Sequence, residues 1–215
     1  MRKALAAVSL ASVLTLGGCL QKETTHTLYL DPGGAVTWTV SEKDVRSDER
    51  NPAAQVNEEN DYLHSVSAGM HDTGRALAAL AGISPDVHLV RATRPFMVVT
   101  EARFAAIDQV IDRMLTELHL PGHAALERTN GTTRLLIHVD AAATRASGSS
   151  DDTPVAALIE SPDRFRIVLT EGRFVDASGF ELSRDGAVAV PIDLSDEDLA
   201  RTEGLIDLSL TWERR

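Results

Sequence analysis

One cysteine in 215 residues excludes an internal disulfide and every cysteine-rich metal centre. Aromatic residues make up 4% of the chain, too few for the Trp and Tyr platforms of sugar-binding surfaces. Positive charge is scarce as well: 21 Lys and Arg stand against 32 Asp and Glu, a formal net charge of −11. Nucleic acid rewards clustered Lys and Arg, so that class of partner is excluded, as is charge-driven adhesion to anionic headgroups. Gly-x-Ser-x-Gly, His-Glu-x-x-His, Gly-x-Gly-x-x-Gly and P-loop patterns are all missing, and so is any internal repeat. What is there is ordinary for a globular domain: 43% hydrophobic and 25% charged residues.

The N-terminus is patterned. Met1-Arg2-Lys3 is a basic start, and Ala4 to Leu16 is an uncharged, mostly apolar run. That run is shorter than the ~20 apolar residues a spanning helix needs, and it reads as a secretory signal. Leu16-Gly17-Gly18-Cys19 follows, and Cys19 is the sole cysteine. This segment resembles the lipobox of bacterial lipoproteins. The resemblance implies removal of residues 1–18 by signal peptidase II, a diacylglycerol on the Cys19 sulfur and an acyl chain such as palmitate on its amine. Leu20, rather than Asp, after the cysteine implies the outer membrane, periplasmic side. A single acyl chain anchors only marginally, at about 0.8 kcal/mol per buried methylene, whereas two or three anchor stably. Cleavage removes Arg2 and Lys3 and takes the net charge to −13. Residues 19–25 are expected to be the lipidated cysteine and a short tether. The five residues Gln21 to Thr25 reach at most ~17 Å, so the folded part is held close to its membrane.

Past the tether, turn chemistry and periodicity predict alternating elements. Asp31-Pro32-Gly33-Gly34 separates Thr27–Leu30 from Ala35–Val40 as a β-hairpin with Trp38 facing inward. Asn51-Pro52 opens a helix carrying Val56, Leu63, Val66 and Met70 on its buried face. A second helix over 73–81 is expected to be capped by Asp72 and stopped by Gly82. His88 to Val99 reads as extended, with Pro95 forcing a bulge or an edge. Thr100 is the expected cap of an amphipathic helix carrying Phe104, Ile107, Ile111, Met114, Leu115 and Leu118. Asn130-Gly131 demands a two-residue turn, which sets Thr129 against Thr132, Glu127 against Arg134, Leu126 against Leu135 and His123 against His138. Residues 141–153 are small, polar and unpatterned, a loop or a subdomain boundary. Phe165–Thr170 and Arg173–Ala177 are expected to pair around Glu171-Gly172, and Phe180–Arg184 with Ala187–Val190 around Asp185-Gly186. A short helix over 195–201 precedes a strand in which Ile206, Leu208, Leu210 and Trp212 alternate with polar residues. Hairpins dominate the strands, which predicts an α+β fold: a largely antiparallel sheet with two or three amphipathic helices packed on it. Residues 26–215 are read as one domain, because some 60 C-terminal residues make a marginal core alone. The C-terminal strand and the N-terminal hairpin are expected to share one sheet.

His123 and His138 are the sharpest candidates for chemistry, since neutral imidazoles side by side can share a transition metal. Two ligands do not make a catalytic centre, and no third is evident nearby, so the plain reading is a pair of sheet residues. His64 and His71 read as projecting from one helix face about 10 Å apart, too far to share a metal. The acidic run Asp193 to Leu199 lacks the glycine and ligand spacing of a calcium loop, and a cap at Ser195 explains it. Asn57 to Asp61 is a solvated helix face, and the turn explains the sequon at Asn130. No cofactor is expected.

Two functions therefore stand. The first is a membrane-anchored lipoprotein that is not an enzyme and binds an envelope protein or a small apolar ligand, or helps envelope assembly. The second is a periplasmic metal-dependent hydrolase using His123 and His138.

Overall fold

The computed structural model describes residues 20–140, 165–192 and 205–214. The lipobox with Cys19, the 141–153 segment, the Asp193–Leu199 run and the helix expected over 195–201 lie outside the described residues. In chain order the elements are β1 (Leu20–Leu30), β2 (Val36–Ser47), α1 (Pro52–Ser67), α2 (Asp72–Ala81), β3 (Asp86–Arg91), β4 (Phe96–Phe104) and α3 (Ile107–Glu117). Then follow β5 (Gly122–Thr129), β6 (Thr132–Asp140), β7 (Phe165–Leu169), β8 (Arg173–Ser178), β9 (Phe180–Leu182), β10 (Val188–Pro191) and β11 (Leu205–Glu213). The fold is α+β and mostly antiparallel. It has two sheets rather than one, ordered β3-β4-β2-β1-β7-β10-β9 and β5-β6-β11-β8.

The main core joins both sheets. Leu28, Leu30, Trp38 and Val40 of the larger sheet belong to one buried cluster with Leu135, Leu210 and Trp212 of the smaller. Leu77 and Leu80 of α2 and Ile107 and Val110 of α3 complete it. The Trp212 indole N–H donates to the Pro32 carbonyl at 3.1 Å, tying the last strand to the first turn. A second cluster of Val45, Tyr62, Val66, Phe96 and Val98 lies under α1, and Leu20, Leu63 and Val87 pack against it.

Several expectations hold. Asn51 caps α1, accepting from the Ala53 and Ala54 amides, with Pro52 next. Gly82 ends α2 in the left-handed region. The Asn130-Gly131 hairpin has the predicted register at all four residue pairs, and β9 pairs with β10 across Asp185-Gly186.

Others are corrected. Gln21 to Thr25 are not a loose tether: they are the first half of β1, paired with Arg46 to Ser41 of β2 apart from one bulge. The C-terminal strand and the N-terminal hairpin lie in different sheets, joined through the core and not by a ladder. The pairing expected around Glu171-Gly172 does not form. β7 runs parallel to β1, whereas β8 pairs with β11 in the other sheet. Gly172 sits at this crossing with φ +95°, and a Cβ there would lie 2.0 Å from the Glu213 carbonyl oxygen. A glycine that reads as a hairpin turn is in fact the point where the chain changes sheets.

Thr100 and Phe104 belong to β4, where Phe96, Val98, Thr100 and Ala102 alternate inward; α3 starts only at Ile107. The buried face of α1 is Glu59, Tyr62 and Val66, while Val56 and Met70 are 53% and 59% exposed. His71, not Asp72, stands at the N-cap of α2, and Asp72 pairs instead with Arg75 at 2.6 Å. His64 and His71 consequently share no helix face. His64 is exposed on α1, and His71 is buried beyond its end.

Candidate functional site

Three places carry polar or concave chemistry. The first is the row predicted from the hairpin turn. His123 of β5 lies opposite His138 of β6, and His138 lies opposite Asp207 of β11. The two imidazole centroids are 5.5 Å apart with 42° between the rings. The Asp207 carboxylate is 2.7 Å from His138 Nδ1. The row lies in a shallow depression of about 440 Å³, whose floor includes Arg134, Leu136, Ser178 and Ser209. Among the described residues, no group of three His, Cys, Asp or Glu is placed to hold a metal ion together. A hydrolytic centre at His123 and His138 thus has two protein nitrogens and no third protein ligand among those residues.

The second place was not anticipated. Glu42 of β2 is fully buried and accepts from three other elements at once. The Lys22 ammonium of β1 contacts Oε1, Thr73 Oγ1 of α2 donates to the same oxygen at 3.0 Å, and the Tyr62 hydroxyl of α1 donates to Oε2 at 3.0 Å. His71 Nε2 stands 3.6 Å from Oε2 and 3.0 Å from Thr100 Oγ1. Burial pushes the Tyr62 hydroxyl pKa up, and the Glu42 charge adds to it. Burial lowers the His71 pKa despite the opposing pull of Glu42, so desolvation outweighs the nearby charge. His71 Nδ1 is buried with no hydrogen-bond partner among the described residues. Its ring is crowded by α2: a Cβ on Gly74 would meet the imidazole at 3.0 Å and the Gly69 carbonyl oxygen at 2.8 Å. His26 is a neighbour in the same sheet. It accepts from the Trp38 indole N–H at 3.3 Å and stacks on Phe165, and burial lowers its pKa to about 4. The signal for Glu42 was present in the strand alternation. Val36, Trp38 and Val40 point inward, and the next residue in that series is Glu42.

The third place is a groove of about 450 Å³ between the end of α1, the face of α2 and β3. Leu63, Val66, Met70, Ala78, Val87 and Leu89 line it, with Arg75 among the polar lining residues. No member of the Glu42 cluster lines it. β3 is an edge strand of its sheet; Leu89 is exposed in the groove, and Val90, which does not line it, is exposed as well.

No family model and no curated protein matches this chain. Among solved structures it is similar to the NMR structure of the folded domain of the Mycobacterium tuberculosis LppM protein, at 10% identity and a TM-score of 0.36, over 90% of each chain. No described helix is long and apolar enough to cross a membrane.

Proposed function

We propose that this protein is a lipoprotein anchored through Cys19 to the periplasmic side of a bacterial outer membrane. Its α+β body binds an envelope protein or a small apolar ligand and catalyses no reaction. The observation that carries this reading is the sequence Leu16-Gly17-Gly18-Cys19 after a basic start and a short apolar run. A lipid on Cys19 would be joined by one peptide bond to Leu20, the first residue of β1. The strand is clamped at once by its ladder to β2 and by the Lys22–Glu42 ion pair. The groove beside α1, α2 and β3, where Ser67, Arg75 and Ser84 are interspersed with apolar side chains, supports the ligand half of the reading by its size.

Each half has its own measurement. Cells fed labelled palmitate are expected to label the protein, and Cys19→Ala is expected to abolish the label and release the body from the membrane fraction. Label retained by Cys19→Ala would refute the anchor, and recovery in the inner-membrane fraction would refute the outer-membrane assignment. For the groove, an environment-sensitive naphthalene-sulfonate dye should bind the purified protein with blue-shifted emission. Ala78→Trp, which fills the groove, should weaken it by about tenfold, a loss of 1.4 kcal/mol. Dye binding unchanged in Ala78→Trp would remove the groove as the ligand site.

A further inference from the structure

We infer that His123 and His138 bind one divalent cation of the imidazole-preferring class, zinc, nickel or copper, with Asp207 as the residue that positions His138. The argument begins with register. Three antiparallel strands place His123, His138 and Asp207 in one cross-strand row on the outward face of the smaller sheet. The ladders hold the backbone positions before any ion arrives, so binding orders little more than side-chain rotamers.

The spacing suits a shared cation. Two imidazoles bound tetrahedrally, with zinc–nitrogen bonds of about 2.1 Å and each nitrogen about 1.1 Å from its ring centroid, hold their centroids about 5 Å apart. The observed separation of 5.5 Å is close to that value. Asp207 supplies what a metal-binding histidine requires of its other nitrogen. It lies 2.7 Å from His138 Nδ1, so Nδ1–H donates to the carboxylate and the Nε2 lone pair is left for the ion. This is the carboxylate–histidine–metal arrangement, in which the carboxylate fixes the tautomer and raises ligand basicity. Soft and borderline cations prefer imidazole, whereas magnesium and calcium prefer oxygen. Water completes the coordination in the open depression. Arg134 lines the same depression, and its guanidinium donates to Ser209 Oγ at 3.4 Å, so a positive charge faces the site from beside the row and Arg134→Gln should tighten zinc binding. The inference does not depend on the lipid anchor, and either can fail without the other.

Calorimetric titration of the purified, untagged protein with zinc chloride tests it. Binding of one zinc per chain is expected, and His123→Ala and His138→Ala should each weaken it by well over tenfold. Asp207→Asn should weaken it by about tenfold, in line with loss of an outer-shell carboxylate, while magnesium chloride should give no binding. Zinc should also raise the Tm of the wild type and leave the Tm of His123→Ala unchanged. This second reading separates loss of the site from loss of the fold, since both histidines lie on the outer face. A wild type that binds no zinc would overturn the inference. So would zinc affinity unchanged in both histidine variants, which would place the ion on another group.

Discussion

Glu42→Ala is expected to lower the unfolding free energy by about 3–5 kcal/mol, the range found when one partner of a buried ion pair is removed. The variant leaves more than a cavity. The Tyr62 hydroxyl and Thr73 Oγ1 lose their acceptor, and the Lys22 ammonium, on a partly buried side chain, loses its counter-ion. An unsatisfied buried donor costs about 1–3 kcal/mol by itself. Glu42→Gln should cost roughly half as much. Its amide oxygen still accepts from Thr73, and the Tyr62 hydroxyl can turn to accept from its amide nitrogen, whereas the charge facing Lys22 is gone. Tyr62→Phe, which removes one donor and leaves the carboxylate held by the others, should cost about 1 kcal/mol. Denaturant unfolding at pH 7 reads all three. A Glu42→Ala loss under about 1 kcal/mol would mean that water reaches the carboxylate and that it is not the hub joining β1, β2, α1 and α2.

That hub shows how far the residues alone could be read. The His123–His138 register was legible because Asn130-Gly131 permits essentially one turn, and one turn sets every pair along β5 and β6. The α+β class was legible from hairpin chemistry and helical periodicity for the same local reasons. The face of α1 was not, because its inward row begins with a carboxylate. Glu59 accepts from the Ser47 amide at 3.1 Å and pairs with Arg94 at 3.0 Å, and an apolar pattern search steps over it to Val56. The start of α3 was misplaced because Thr100 fits a cap as readily as a strand; only the inward alternation of Phe96, Val98 and Ala102 decides between them. The split into two sheets depends on contacts 40 or more residues apart in sequence. Gly172 against the Glu213 carbonyl is one, and β7 beside β1 is another. A segment of β-residues around Glu-Gly carries no trace of which sheet each half will join.

Acid is expected to weaken the fold between about pH 6.5 and pH 4, before most carboxylates titrate, and the source is histidine. His26 is nearly fully buried, and burial lowers its pKa from 6.5 to about 4, with Glu42 opposing and Lys22 assisting the shift. Above pH 6.5 the ring is neutral in both folded and unfolded chains and contributes no pH dependence. As pH falls, the unfolded chain takes up a proton near 6.5 while the folded chain refuses one until about 4. The unfolded state therefore binds more protons across that window, and stability falls with pH. At 1.36 kcal/mol per unit, His26 alone accounts for a loss on the order of 3 kcal/mol, levelling off below its folded pKa. His71 shifts in the same direction, also through burial, and steepens the slope. His26→Asn keeps an acceptor near the position of Nδ1 for the Trp38 indole and removes the titration. Its stability at pH 7 should be lower than that of the wild type, because the smaller side chain loses the stacking on Phe165. Its loss between pH 6.5 and 4 should be smaller by the His26 share. Urea unfolding at half-unit intervals measures both curves. Parallel curves for His26→Asn and the wild type would show that this imidazole titrates alike folded and unfolded, and that the contact between Trp38 and His26 does not hold it neutral.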